Sequence, residues 1–281
     1  MIKILQPGLY TSIQDEGRWG YRAKGVPLSG AMDQYAMHFA NHLLGNEANA
    51  AVLEMTMMGP HLKFEVDTFF VITGATFSGE LNGKPIENYA KTQAQKGDEL
   101  KIKPPGKGVY GYIAFENGIQ SETVLGSQSW YHPVTSKGKL EKGDVIQLNE
   151  IKTGKKRSYS SISYTPDYFN LREIKADKGP EWSDVSQKNQ KKLRELTITV
   201  GPSSNRMAIS LEHEEDLAAP EIITAPVQPG TIQMTPSGKL VALMRDAQTS
   251  GGYSRIFQLN DEAITQLAQV QPNQKVRLTI D

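Results

Sequence analysis

No cysteine occurs anywhere in the 281 residues. Disulfides, thiol nucleophiles and cysteine-ligated metals are therefore excluded, and the composition suits a reducing compartment. The chain also has no net charge: 31 basic residues balance 31 acidic ones. Nucleic-acid binding thus has no electrostatic support at the level of the whole chain. No apolar stretch reaches the roughly 20 residues of a membrane-spanning helix, and Met1–Pro7 offers too short an apolar run for a signal peptide. The expectation is a soluble cytoplasmic protein with no membrane partner. Histidine is scarce as well, at positions 38, 42, 61, 132 and 213. His38 and His42 have a metal-sharing spacing on a helix, but Phe39 stands where a metalloprotease motif has glutamate and no third ligand suggests itself. No metal site is expected. A Gly-x-Ser-x-Gly elbow is missing too, so nothing motivates a serine triad.

What the chain has is short strands and turns. Residues 1 to 6 alternate and stop at Pro7-Gly8. Val52–Met58, His61–Val66, Thr68–Ile72, Phe77–Leu81 and Val109–Phe115 read as strands, and Asn82-Gly83 is a strong hairpin signal. Met32, Ala36, Phe39 and Leu43 recur at helical spacing, with Ser29 or Asp33 to cap the start and Gly45 to end it. One small phrase, a turn followed by an alternating strand, occurs three times. It is Lys96–Ile102, Lys142–Leu148 and Pro272–Leu278, too unevenly spaced for a solenoid. Thr197–Val200, Thr231–Met234 and Leu240–Arg245 are further strands, and Asp261–Gln269 a short helix. The sum is a mainly β protein of closed or sandwiched sheets. Lobes are expected at about 1–150 and 196–281, with the polar stretch 150–195 as a seam. That seam holds the basic run Lys152–Arg157, read as a solvated turn, and the polar stretch Ser186–Arg194.

Three loops have an unusual composition. Thr11–Asp33 packs four glycines (Gly17, Gly20, Gly25, Gly30), the cations Arg18, Arg22 and Lys24, two aromatics and one proline into a run with no regular period. It reads as too irregular for a regular element and rich in donors, with Arg18 and Arg22 free to be aimed at an anion. Met244–Ile256 leaves a strand and enters Gly251-Gly252, where backbone N–H groups and the Thr249 and Ser250 hydroxyls could form an anion-binding concavity beside Arg245 or Arg255. No Gly-Lys-Ser/Thr follows, so this is not a Walker loop; a hairpin turn held by an Arg–Asp pair accounts for the same residues. Gly201–Met207 is a third polar, glycine-led loop, which an ordinary turn also explains.

Taken together the loops resemble the allophanate hydrolase subunit 2 or KipA-like family. It includes the C subunits of 5-oxoprolinases and half of the carboxyltransferase domain of urea carboxylase. The resemblance is carried by Ser12-Ile13-Gln14-Asp15, Gly17-Arg18, Gly20-Tyr21, Gly25-Val26-Pro27 and Ser29-Gly30-Ala31-Met32-Asp33. It continues through Ala40–Asn46, Leu53-Glu54, Gly179–Trp182, Ser204–Met207, Gly230–Gln233, Pro236–Gly238, Gln248-Thr249, Gly251–Tyr253 and Ile256, in the family's order. Where the family has Arg-Met-Gly, an apolar residue and an arginine, this chain reads Arg206-Met207-Ala208-Ile209-Ser210, a changed loop. Ile223–Pro226 and Trp130–Pro133 depart as well.

The resemblance implies a cyclophilin-like β-barrel joined to a second β lobe, with few short helices, the whole chain forming one carboxyltransferase-like module. It implies an ATP-dependent 5-oxoprolinase complex that opens 5-oxoproline to L-glutamate, with two partner proteins, one KipI-like and one LamB/YcsF-like. Two alternatives travel with it. One is the carboxyltransferase component of a biotin-dependent urea or amide carboxylase, in which the biotin would sit on another chain, since no Met-Lys pair occurs here. The other is a non-enzymatic KipA-type antagonist of a kinase inhibitor. The site residues it suggests are Arg18, Asp33, Arg245 and Asp246 for catalysis. Ser29, Arg206, Gln233, Thr249, Gly251, Gly252, Tyr253 and Arg255 would bind substrate or nucleotide. Arg18, Arg245 and Arg255 would neutralise phosphate or carboxylate charge, oriented by Asp15, Asp33 or Asp246. Self-association of the chain is left open. The spatial expectation is that the early Gly–Arg segment and the late Gly-Gly-Tyr segment meet at one positively charged cleft.

Overall fold

The computed structural model of the protein describes residues 1–150, 169 and 173–280. The basic run Lys152–Arg157 and the serine- and tyrosine-rich residues after it lie outside the described residues. Two compact units are present: Met1–Arg18 with Ser29–Pro166, and Trp19–Leu28 with Asp167–Asp281. No helix among the described residues is long and apolar enough to cross a membrane.

The first unit contains β1 (Ile2–Gln6), β2 (Tyr10–Gln14), helix α1 (Gln34–Leu44), β3 (Val52–Thr56), β4 (His61–Phe64), β5 (Thr68–Gly74), β6 (Phe77–Leu81), β7 (Lys84–Ile86), β8 (Thr92–Ala94), β9 (Glu99–Pro105), β10 (Tyr110–Phe115), β11 (Ile119–Gln120) and β12 (Val145–Leu148). They form a seven-stranded sheet in the order β11-β12-β1-β4-β9-β6-β7 and a five-stranded sheet in the order β2-β3-β10-β5-β8. Alternation decides what each face meets. Ile2, Ile4, Leu62, Phe64 and Leu100 from the first sheet pack with Leu53, Met55, Phe70, Ile72, Ile113 and Phe115 from the second in one apolar core. The opposite faces of β5 and β10 meet α1, which is why all six residues of β10 are buried. Asp33 caps α1, its Oδ1 accepting from Ala36 N at 2.8 Å, and Gly45 closes it at φ +67°, as the spacing predicts. Leu81 pairs with Lys84 across Asn82 and Gly83, both at positive φ, which makes the expected two-residue turn. The stretch expected to be wholly irregular starts with a strand: Thr11–Gln14 completes β2, paired along its length with β3. Its polar composition hides the strand, because Thr11, Ser12 and Gln14 are polar side chains that are nonetheless buried.

The second unit holds β13 (Glu173–Lys178), helix α2 (Gln187–Leu193), β14 (Glu195–Val200), β15 (Ala208–Glu212), β16 (Ala225–Pro226), β17 (Thr231–Met234), β18 (Leu240–Leu243), β19 (Ser250–Gly251), β20 (Ser254–Gln258), helix α3 (Asp261–Ala268) and β21 (Lys275–Ile280). Seven of the strands close a barrel in the order β13-β20-β17-β18-β15-β14-β21. Among these described strands only the β13–β21 contact is parallel; the other pairs are antiparallel. Ile174, Leu196, Ile198, Ile209, Leu211, Ile232, Leu240, Phe257 and Leu278 are among its buried apolar residues. The chain is thus mainly β, with a closed barrel, a second β lobe and three α-helices among the described residues. The 150–195 stretch carries barrel strand β13 and helix α2. The helix is capped by Ser186, whose Oγ accepts from Asn189 N at 3.3 Å, a signal present in the sequence but masked by a segment with one apolar residue in seven.

Candidate active site

The second unit contains a cavity of about 400 Å³ whose wall includes Trp19, Arg22, Asp177, Arg245 and Asp261, with Leu28, Leu259 and Ile264 as its apolar side. Each charged group is delivered by a definable local structure. Arg22 opens a 3-10 turn that ends when Gly25, at φ +79°, donates its N–H to Arg22 O at 2.9 Å. Only a residue tolerant of the left-handed region makes that closure cheaply. Partial burial holds the Arg22 guanidinium below its ordinary pKa, yet an arginine so shifted is still cationic at neutral pH.

Arg245 lies just beyond β18, in a turn fixed on both sides. Met244 N donates to Met207 O at 2.9 Å, Asp246 N to Arg206 O at 3.0 Å and Ala247 N to Met244 O at 3.0 Å. Its side chain is 2% exposed, and Nη2 reaches Asp261 Oδ1 at 3.1 Å. Asp261 is the first residue of α3; Asn260 caps that helix by accepting from Ala263 N at 2.9 Å. The cap frees Asp261 to face outward, with 77% of its side chain in solvent. Gln258 stiffens the floor, its Nε2 donating to Pro229 O at 3.0 Å and Leu259 O at 2.9 Å. The cavity therefore pairs a buried guanidinium, a second half-buried one, an apolar wall and exposed carboxylates. Such a site can seat a small anion by charge and shape.

The remaining predicted residues are distributed as follows. Asp246 serves Arg206 rather than Arg245: Arg206 Nε to Oδ2 is 2.8 Å and Nη2 to Oδ1 is 3.0 Å, a buried two-pronged pair. Arg255 is clasped by Glu181, with Nη2 to Oε1 at 2.6 Å, Nε to Oε2 at 3.0 Å and the Arg255 N–H to Oε2 at 2.8 Å. The hydrogen bond from Arg255 draws the Glu181 carboxyl below its ordinary pKa despite burial, and Glu181 raises Arg255 in turn. Gly251, Gly252, Tyr253 and Thr249 lie by the small β16–β19 ribbon. Ala225 pairs with Gly251, and Val227 N donates to Thr249 O at 3.1 Å. Buried Gln233 supports that turn, Nε2 donating to Tyr253 O at 3.2 Å. None of these four turn residues lines the cavity.

In the first unit Arg18 is fully buried, its guanidinium donating to Val124 O and Ser129 O. Asp15 gathers four donors: Gly17 N, Ser127 Oγ and Ser129 Oγ on Oδ1, and Gln128 N on Oδ2. Asp33 is the α1 cap, and Ser29 is buried at φ +57°. Glu54 Oε2 accepts from Met32 N at 2.7 Å and from Tyr112 OH at 2.9 Å, while Tyr112 OH accepts from Asp33 N at 2.7 Å. Burial, then the charges of Glu54 and Asp33, hold the Tyr112 phenol well above its ordinary pKa. This unit also has a cavity, about 530 Å³, bordered by Asp15, Glu47, Glu150 and several asparagines. Its charged groups are acidic, and the Asn46 and Asn149 amides are spent on the Phe115 and Asn117 carbonyls, which suits an anionic substrate poorly.

Of the expected charge-bearing residues, Arg22 and Arg245 share a cavity; Arg18, Arg206 and Arg255 are engaged elsewhere. Trp19, Asp177 and Asp261 join the site without having stood out in the sequence. Asp261 had one legible signal, its place at the start of a capped helix, and barrel closure supplied the rest.

The carboxyltransferase family model, subdomains A and B, matches residues 24–280. The chain is similar to the C subunit of Escherichia coli 5-oxoprolinase, 31% identical over 98% of this chain and 90% of that protein. It is similar also to the C subunit of Haemophilus influenzae 5-oxoprolinase, 34% identical over 96% of this chain and 88% of that one. Urea amidolyase of Lachancea kluyveri is 38% identical over 53% of this chain, which corresponds to 8% of the longer protein. Among solved structures, TTHA0988 superposes on the whole chain with TM-score 0.89 at 25% identity, and this chain spans 55% of it. The Kluyveromyces lactis urea carboxylase shares the fold, with TM-score 0.87 over 99% of this chain and 27% of its own. Sequence match and fold agree: this chain belongs to the carboxyltransferase-domain family, subdomains A and B.

Proposed function

We propose that the chain is the C subunit of an ATP-dependent 5-oxoprolinase, working in the cytoplasm with a KipI-like partner and a LamB/YcsF-like partner. The observation that carries this is similarity along nearly the full length, 31% and 34% identity, to two proteins named as C subunits of 5-oxoprolinase. A lactam carbonyl is a poor electrophile. Transfer of the ATP γ-phosphoryl group to its oxygen makes the carbon open to water. Water adds, the C–N bond breaks as the ring nitrogen takes a proton, and the resulting acyl phosphate is hydrolysed by a second water to glutamate and inorganic phosphate. Arg245 and Arg22 hold the substrate carboxylate, and the apolar wall packs against the ring methylenes and so orients the carbonyl. Co-expression with the two partners and measurement of 5-oxoproline-dependent ADP and glutamate release tests the assignment; a pure, stable three-protein complex without such turnover would remove it.

A second reading has its own support, the 38% identity to a urea amidolyase over half of this chain. Under it the chain transfers a carboxyl group from carboxybiotin, borne by another chain, to a urea-like amide. Bicarbonate- and urea-dependent ATP turnover with a biotin carboxylase, and none with 5-oxoproline, would favour it.

A further inference from the structure

We infer that the barrel-unit cavity is a carboxylate site in which Asp261 stands in for the ligand, occupying the Arg245 guanidinium until a small carboxylic acid displaces it. The inference rests on the oxoprolinase reading only where it names 5-oxoproline as the acid.

The Arg245–Asp261 pair is lopsided. The guanidinium is 2% exposed and the carboxylate 77%. A buried cation depends on an anion beside it, whereas a solvated carboxylate gains little from a single ion pair and returns to water at small cost. Two other arginine–carboxylate pairs of this unit, those whose guanidinium is also shielded from solvent, are built differently. Arg206–Asp246 is 6% and 8% exposed, and Arg255–Glu181 is 19% and 12% exposed; both carboxylates accept two or more hydrogen bonds. Those pairs are fasteners, while the third has the form of an exchangeable one.

Arg22 supplies the second observation. It lines the same cavity and is partly buried, and among the described residues no carboxylate pairs with it. An incoming carboxylate has two oxygens, one for each guanidinium, where the Asp261 side chain serves Arg245. The rest of the wall narrows the ligand class. Leu28, Leu259 and Ile264 are buried apolar surface, suited to a compact ring. Asp177, an exposed carboxylate on the rim, can accept an amide N–H. Two carboxylates at the rim also disfavour a phosphate dianion, which would meet both. A small ring bearing one carboxylate and one amide fits; 5-oxoproline is such a molecule.

The test is calorimetric titration of the purified full chain with 5-oxoproline, with 2-pyrrolidinone (the same ring without the carboxylate) and with inorganic phosphate. 5-Oxoproline should bind at least about tenfold more tightly than either control, the difference one charge-assisted contact makes. Asp261→Asn should tighten 5-oxoproline about threefold or more by removing the competitor, and leave 2-pyrrolidinone unchanged. Arg245→Gln and Arg22→Gln should each weaken 5-oxoproline about tenfold or more. If Arg245→Gln does not fold, the half-exposed Arg22→Gln and Asp261→Asn carry the same test. Equal binding of 2-pyrrolidinone, tighter binding of phosphate, no gain in Asp261→Asn, or no 5-oxoproline binding by the wild-type chain at millimolar concentration would each overturn the inference. Turnover by the three-protein complex without carboxylate binding through Arg245 would sink this site alone. Carboxylate binding without turnover would sink the oxoprolinase reading alone.

Discussion

Arg206 and Asp246 face each other fork to fork, two hydrogen bonds of 2.8 and 3.0 Å between side chains that are 6% and 8% exposed. The pair joins the loop before β15 to the loop after β18, and the backbones meet there too, Asp246 N on Arg206 O at 3.0 Å. It thereby sets the turn from which Arg245 enters the cavity. Truncating one partner leaves a buried charge unmatched, so Arg206→Ala or Asp246→Ala should cost about 3–5 kcal/mol. Urea unfolding of both single variants and the double variant should give a double-mutant cycle with a large coupling. Additive costs would show that the two side chains do not depend on each other.

The Glu181–Arg255 pair predicts an acid dependence. Glu181 has a lower pKa in the folded chain than its ordinary 4.5, through the hydrogen bond from Arg255. A carboxyl depressed on folding contributes stability that is complete above its unfolded pKa and is lost as pH falls through the folded one. Lowering the pH from about 6 through the carboxyl range should therefore destabilise the wild type more steeply than Glu181→Gln, by about 1.5–3 kcal/mol across the transition, the value of hydrogen bonds to a charged group. Parallel acid limbs for the two proteins, followed by thermal melting, would refute a stabilising role for the pair.

Gly30 is a position where glycine itself is required. It sits at φ +89°, and a Cβ there would lie 2.8 Å from the Glu16 carbonyl carbon and 2.9 Å from Gly17 N. Backbone cannot swing aside as a side chain can. Gly30→Ala should cost about 2–5 kcal/mol, from the left-handed backbone and from overpacking. Gly25→Ala has the same backbone penalty without the clash, since nothing lies within 4 Å of its Cβ. It should cost about 1–2 kcal/mol. Chemical denaturation ranks the two, and equal costs would refute the packing part.

Much of the fold could be read from turns. The three repeated phrases have one physical cause: a residue at positive φ (Gly97, Gly143 or Asn273), followed by a side chain that turns back to the chain. Asp98 Oδ2 accepts from Gln95 N, Asp144 Oδ2 from Glu141 N and Gln274 Oε1 from Gln271 N, at 2.7, 2.9 and 3.2 Å. Each launches a strand of the predicted kind, β9, β12 and β21. Local chemistry of that sort is fully present in about six or seven residues. What was not legible is closure. Period-2 alternation tells which side chains of β14 or β20 share a face, but not that β13 and β21 run parallel to seal a barrel. The site inherits that limit. Arg22 and Arg245 stood out as cations in glycine-rich loops. Asp246 was an expected orienting carboxylate for the site arginines, and only tertiary structure gave it to Arg206 and left Arg245 to Asp261. Arg18 looked like a ligand donor because it stands in a glycine-rich stretch, whereas its burial makes it a brace for the carbonyls of Val124 and Ser129.

The last prediction uses Trp19 as a reporter. The chain has three tryptophans, in unlike settings. Trp182 is 7% exposed and tilted against Phe257 with ring centroids 5.5 Å apart. Trp130 lies in the other unit, with Nε1 donating to Ser121 Oγ at 3.0 Å. Trp19 is 63% exposed at the cavity wall, so its indole is the one that exchanges water for ligand when the cavity fills. Burial of an exposed indole face moves its environment from water towards hydrocarbon. Titration with 5-oxoproline should therefore shift the emission of the wild-type chain to shorter wavelength with the same saturation as the heat of binding. In Trp19→Phe the heat should persist, since the ring still supplies apolar surface, while the emission change disappears. An emission change that survives in Trp19→Phe would place the ligand near Trp130 or Trp182 instead, away from Arg245. A wild-type emission that stays constant while heat is released would mean that the acid binds without reaching the Trp19 wall, and the pocket boundary would then have to be drawn without it.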